Sequence, residues 1–271
     1  MKATKTTKTT KKSRVGFASL VIPLALVAAT CIFLFVMGDG SHFMGGNSKN
    51  APLPGDYFGT VYKGGFIVPI IMTLLISVVT FAVERYITIS RASGKGKVEI
   101  FVHNIKGLLE KNDIEAALEA CDKQRGSVAN VIRAVVVKYR NLEKEDAMTK
   151  EQKLTSLQKE IEEATSLELP SLEENLVILA TFTSLGTLLG LLGTVLGMIR
   201  SFAALANAGS PDSVALSTGI SEALVNTAFG IGTSALAMIS YSYFTSKIDK
   251  LTYSIDEAGF SIVQSYAANH K

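Results

Sequence analysis

One uninterrupted apolar stretch constrains this chain more than anything else in it. Leu176 to Ser201 reads LVILATFTSLGTLLGLLGTVLGMIRS. A helix of that length rises far enough to cross a hydrocarbon core of about 30 Å. The stretch is not uniformly apolar. Thr183, Thr187, Gly190, Thr194, Gly197 and Ser201 recur at steps of three and four. On a helix these six positions fall within roughly 80° of one another and climb about 27 Å. Gly186 and Gly193 stand beside the stripe; with Gly190 and Gly197 they form two small-xxx-small pairs that admit a close neighbour. Such a face gains nothing from lipid, so it calls for protein or a polar lumen opposite. Both readings, close packing and lumen, are open on the residues alone.

Three further apolar segments accompany it. The chain of 271 residues is 48% hydrophobic and 19% charged, with a mean hydropathy of +0.30. It predicts an all-α integral membrane protein, a helical bundle with four transmembrane helices and long helices extending into the cytoplasm. Residues 1–14 hold six basic residues and no acid, a solvated tail. Residues 15–37 form the first span, read as uncleaved because its apolar run continues past Ala28, Ala29 and Cys31 to Met37. A loop follows at 38–64, rich in Gly, Asn and Pro, and then a second span at 65–85 closed by Glu84, Arg85 and Tyr86. Residues 86–173 form the polar region, with helical periodicity in Val98–Lys111, Asp113–Lys123 and Val128–Leu142, and a charged helix from Lys150 that bends at Pro170. The third span is 174–201, a loop occupies 202–215, the fourth span is 216–245, and 246–271 is a polar tail.

Basic residues set the expected orientation. Residues 85–173 carry fifteen Lys or Arg, whereas the two loops carry few. Both termini and the polar region are therefore expected in the cytoplasm, with Arg200 an isolated exception at the far end of its span. Cys31 and Cys121 are far apart and give neither a disulfide framework nor a metal spacing.

The fourth span, GISEALVNTAFGIGTSALAMISYSYF, carries a second polar line. Glu222, Asn226, Thr233 and Ser240 fall within about 40° of one another, with Thr227 adjoining Asn226. The two spans run antiparallel across a short loop, which predicts that both stripes turn to a shared interior. Glu222 is the only carboxylate well inside an apolar span, where an acid costs about 2.5–3.5 kcal/mol. Two readings stand side by side: it lines a hydrated path, or it bonds a neighbour and holds the bundle together. Hydroxyls can pass a proton but cannot store one at neutral pH. If protons cross here, a second subunit must bring the titratable group. No nucleophile with its base, metal cluster, dinucleotide fingerprint or nucleic-acid motif is found, so neither enzyme nor cofactor is expected.

LGLLGTVLGMIRSF at 189–202 and GISEALVNTAFGI at 219–231 resemble the ExbB/TolQ/MotA family of ion-driven stator proteins, ExbB and TolQ more than MotA. They match that family's Gly-Leu-x-Gly-Thr-Val-x-Gly and Gly-Ile-x-Glu-Ala-Leu-x-x-Thr-Ala elements. The likeness begins near Phe66; residues 1–64 fall outside it and add a span in front of the family's three. The resemblance implies a homopentamer in the bacterial inner membrane around a dimer of single-span ExbD-like subunits, whose membrane aspartate carries the proton. It further implies a TonB-like transducer that energises outer-membrane transport, or a TolQ-like role in envelope integrity or motility. By motif, Thr194, Glu222 and Thr227 correspond to the family's pore-facing polar residues. Thr187, Thr183, Asn226 and Thr233 extend the polar lining; Thr187 and Leu236 stand where many members have proline. A structural scaffold, whose stripes only pack helices, is the competing class.

Overall fold

A computed structural model describes residues 17–207 and 213–270. The basic tail at 1–14, the first residues of the first span, part of the 202–215 loop and Lys271 lie outside that range. The chain is an all-α membrane protein, and among the described residues four helices are long and apolar enough to cross a bilayer. They are α1 (Phe17–Cys31, prolonged by a π-helical turn to Met37), α3 (Ile67–Ala92), α8 (Leu176–Asn207) and α9 (Ser213–Asn269). The chain divides into two compact units, Met1–Ser77 with Leu188–Gly230, and Val78–Thr187 with Ile231–Lys271.

In the first unit, α1 packs through small and aromatic residues. Ala29, Phe33 and Met37 are buried against Val68 and Met72 of α3. The short helix α2 (Tyr57–Tyr62) starts at Asp56, whose side chain accepts from the Gly59 N–H at 2.8 Å. Phe33 stacks on Tyr62 with ring centroids 4.7 Å apart, which ties the end of α1 to α2. The Gly- and Pro-rich loop is thereby ordered on a small aromatic core: Phe43 is 2% exposed and meets Tyr62 edge-on.

In the second unit, four polar helices form a meander: α4 (Val98–Glu110), α5 (Ile114–Gln124), α6 (Ser127–Glu143) and α7 (Lys150–Glu173). α4 packs on α5, α5 on α6 and α6 on α7. Their starts follow capping rules. Asp113 accepts from the Ala116 N–H at 3.1 Å, and Thr149 with Gln152 closes a capping box on α7. The end of α9 is fastened to this meander. Asn269 donates to the Leu109 carbonyl and to the Tyr139 hydroxyl, and His270 stacks on Tyr266 at 4.3 Å. Cys121 is buried in the meander, and burial, with Asp122 adding to it, pushes its thiol up to about 12. Because the thiolate is the reactive form, Cys121 will resist maleimide at pH 7.5 and label only after unfolding, as peptide mass spectrometry will show.

The interruption between α7 and α8 lies at Asn175 and not at Pro170. Pro170 is inside α7, and the Glu174 N–H bonds back to its carbonyl at 3.1 Å. Arg85, 1% exposed, donates from Nη1 to the Leu172 carbonyl at 3.1 Å and pairs with Glu84. These bonds hold the last turn of α7 helical, and the chain breaks where Asn175 takes φ 66°, a conformation Asn tolerates.

Candidate ion-pathway site

α8 and α9 approach closely because glycine lines the contact. In the first unit a Cβ added at Gly197 would stand 2.7 Å from the Gly219 carbonyl oxygen and 2.9 Å from the Ala223 nitrogen. One at Gly190 would stand 3.2 Å from the Gly230 Cα. Gly193 gives its space to Asn226, whose Cβ would overlap any side chain there. Ser201 is fully buried and donates to the Leu216 carbonyl at 3.2 Å. The buried line of α8 is thus Gly186, Gly190, Gly193, Gly197 and Ser201. Thr187 and Thr194 stand at its edge, Thr187 exposed and Thr194 half-buried.

The polar residues divide between two directions. Thr227 donates to the Ala223 carbonyl at 3.1 Å and reaches the Gly190 carbonyl at 3.5 Å, so it faces α8. Asn226, about 100° around the helix, turns the other way: fully buried, it donates from Nδ2 to the Gly64 carbonyl at 2.9 Å. Thr194 returns its hydroxyl to its own helix, donating to the Leu191 carbonyl at 2.6 Å. The two polar lines therefore do not simply oppose each other. Glycine makes the α8–α9 contact, and Glu222 with Asn226 serves the turn that opens α3.

Glu222 has a partner that the sequence reading set aside. Arg200 Nη1 lies 2.5 Å from Glu222 Oε1, with the carboxylate side chain 6% exposed and the guanidinium side chain 50% exposed. The guanidinium also sits 5.6 Å from the centre of the Phe66 ring. Gly65, at φ +76°, brings the chain against this pair, and a Cβ there would collide with Glu222 Oε1. Arg200 thus joins α8, α9 and the Gly64–Phe66 turn at one point. Helix ends carried the missing signal: Arg200 lies seven residues before Asn207 and Glu222 nine after Ser213, so antiparallel helices put them at one depth. Ending the span at Ser201 hid this, since α8 continues to Asn207.

In the second unit, hydroxyls link the same two helices. Thr187 Oγ1 donates to Ser234 Oγ at 2.9 Å, and Ser234 donates to the Thr183 carbonyl. Thr183 Oγ1 donates to the Ala180 carbonyl at 2.6 Å. Thr233 is buried, 1% exposed, beside Ser234. Ser234 was not among the residues singled out from the sequence; it falls off the Glu222 line by one position.

Comparison with known proteins bears on this helix pair. The model of the MotA/TolQ/ExbB proton channel family matches residues 128–257. An ExbB homologue of Methanothermobacter thermautotrophicus is 29% identical over 200 residues, which are 72% of this chain and 66% of that protein. The Tol-Pal system protein TolQ of Pseudomonas aeruginosa is 30% identical over 124 residues, 46% of this chain and 54% of the relative. The biopolymer transport protein ExbB of Helicobacter pylori is 36% identical over 81 residues, 30% of this chain and 56% of its own length. The chain thus spans between half and two thirds of these relatives. The matched segment, residues 128–257, takes in all of α8 and most of α9, and it is there that this chain is similar to the MotA/TolQ/ExbB proton channel family.

Proposed function

We propose that this chain is the ring-forming subunit of a proton-driven stator in a bacterial inner membrane, with both termini on the cytoplasmic side. Copies surround single-span helices of an ExbD- or TolR-like partner, whose membrane acid carries the proton. Of the polar residues, Thr194 and Thr187 are the ones this acid passes, whereas Thr183, Thr227, Thr233, Asn226 and Glu222 stand behind them and bond or pack within the chain. One observation carries the reading. Across Leu176–Asn207 and Ser213–Ser246 the sequence holds a single carboxylate, Glu222, and that carboxylate is committed to Arg200. The remaining polar groups are hydroxyls and amides, which relay a proton but do not hold one. The carrier must come from elsewhere, and Thr194, half-buried at the edge of the glycine line, is the group we assign to meet it. Each charge crossing 100 mV releases about 2.3 kcal/mol, enough over repeated transfers to do mechanical work on a TonB-like transducer. The matches to TolQ proteins support equally a TolA-like transducer and a role in envelope integrity.

Thr194→Val tests this reading, because valine keeps the shape and removes the hydroxyl. In vesicles holding the chain with its co-expressed single-span partner, imposed-potential proton uptake falls by about tenfold or more, while the complex still purifies intact. Unchanged uptake with intact assembly returns the stripe to a packing role.

A further inference from the structure

We infer that the polar helices carry a copy-to-copy docking contact, in which the Glu160–Glu163–Leu167 face of α7 seats in a lysine-rimmed cleft on α4 and α5 of the neighbouring copy. The inference rests on the ring reading above and adds where, beyond the membrane, adjacent copies meet. The cleft has a volume of about 640 Å³ and is rimmed by Lys95, Lys97, His103 and Lys123 over a floor that includes Ile100 and Phe101. None of its lining residues is a carboxylate, although Lys123 also pairs with Glu119 at 2.8 Å. Ile100 is 64% exposed, an apolar surface beside three ammonium groups. The glycines at 94 and 96 (φ +74° and +93°) and the Lys95 N–H bond to the Gln124 carbonyl at 2.7 Å hold the rim in place.

The complementary surface is on the same chain. Glu160, Glu163 and Leu167 share one side of α7 at i, i+3 and i+7. Leu167 is 82% exposed, the most exposed aliphatic side chain of the polar helices. Glu163 has only a 3.6 Å pairing with Lys159. An apolar knob flanked by acids matches an apolar floor flanked by bases.

Two further facts select a second copy as the occupant. First, α4 packs on α5, α5 on α6 and α6 on α7, so the cleft and the acidic face lie at opposite ends of one array. Neither can reach the other within a chain. Two different patches that fit each other generate a head-to-tail contact, the kind that closes into a ring. Second, the depths agree. Arg85 bonds the Leu172 carbonyl, which sets those two residues level. Glu163 lies nine residues from Leu172, about 13 Å along α7. Lys95 lies beyond Ala92, which is about 10 Å past Arg85 along α3, with the Ser93–Lys97 turn added.

A photoreactive benzoylphenylalanine at position 167 of the full chain, irradiated in native membranes with the partner co-expressed, tests the contact. Multimers of this chain form, and the cross-linked peptide maps to residues 95–124. Lys97→Glu with Lys123→Glu places like charges together and cuts the yield about tenfold or more; adding Glu160→Lys and Glu163→Lys restores it. Cross-links to lipid, to another protein or to another segment of this chain overturn the contact, as does a yield indifferent to the charge reversals. Mass measurement of the purified complex separates the two readings. A lone copy refutes the ring itself, whereas a multimer cross-linked elsewhere refutes only this docking.

Discussion

A Gly197→Ala chain, purified in detergent, unfolds at a clearly lower temperature than the parent. The added methyl would stand 2.7 Å from the Gly219 carbonyl oxygen and 2.9 Å from the Ala223 nitrogen. Both are backbone atoms and cannot swing aside, so α8 and α9 must part locally. Overpacking of this kind costs about 1–3 kcal/mol, and the bulkier Gly197→Leu costs more. α9 supplies an internal control. A Cβ at Gly232 meets nothing within 4 Å, and alanine there gains about 0.5–1 kcal/mol of helix preference. Helical circular dichroism followed on heating should therefore move in opposite directions for the two substitutions. Equal melting of both would mean that α8 and α9 are not in the contact described.

The second large effect is expected at Arg200. Arg200→Ala leaves the Glu222 carboxylate, 6% exposed, without its cation. Removing one partner of a buried pair costs about 3–5 kcal/mol; here the guanidinium is half exposed, so a loss of about 2–3 kcal/mol is the scaled expectation. Arg200→Lys restores charge but not the planar contact with Phe66, and falls between. Glu222→Gln with Arg200→Gln removes both charges and recovers part of the loss, because no ion is then left uncompensated. Thermal unfolding of the four chains gives that order. If Arg200→Ala matches the parent, the pair is an incidental contact and Glu222 returns as a candidate relay.

These residues also show what a sequence can disclose. The four apolar helices announce themselves because a bilayer demands length and hydropathy together, and α1, α3, α8 and α9 supply both. The glycine line of α8 is legible for a related reason: small side chains at steps of three and four have no use on a lipid face. Partners are another matter. Asn226 bonds a carbonyl 162 residues away, and no periodicity encodes that choice. Arg200 reads as a terminal charge because Arg200 and Ser201 interrupt the apolar run, yet the helix continues through the apolar residues 202–206 to Asn207. Pro170 reads as a bend, and local rules favour that. Arg85, brought from α3, bonds the carbonyls beyond it and moves the interruption to Asn175.

That interruption has a consequence for how the chain can vary. In an unbroken helix one inserted residue turns everything after it by about 100°. At Asn175 the left-handed residue resets the phase, so α8 takes its azimuth from its own packing and not from α7. Insertions or deletions in α7 can then spin its charged surface without rotating Thr183, Gly186 or Thr187 away from α9, whereas the same single-residue change between Leu176 and Gly186 would misalign the whole span.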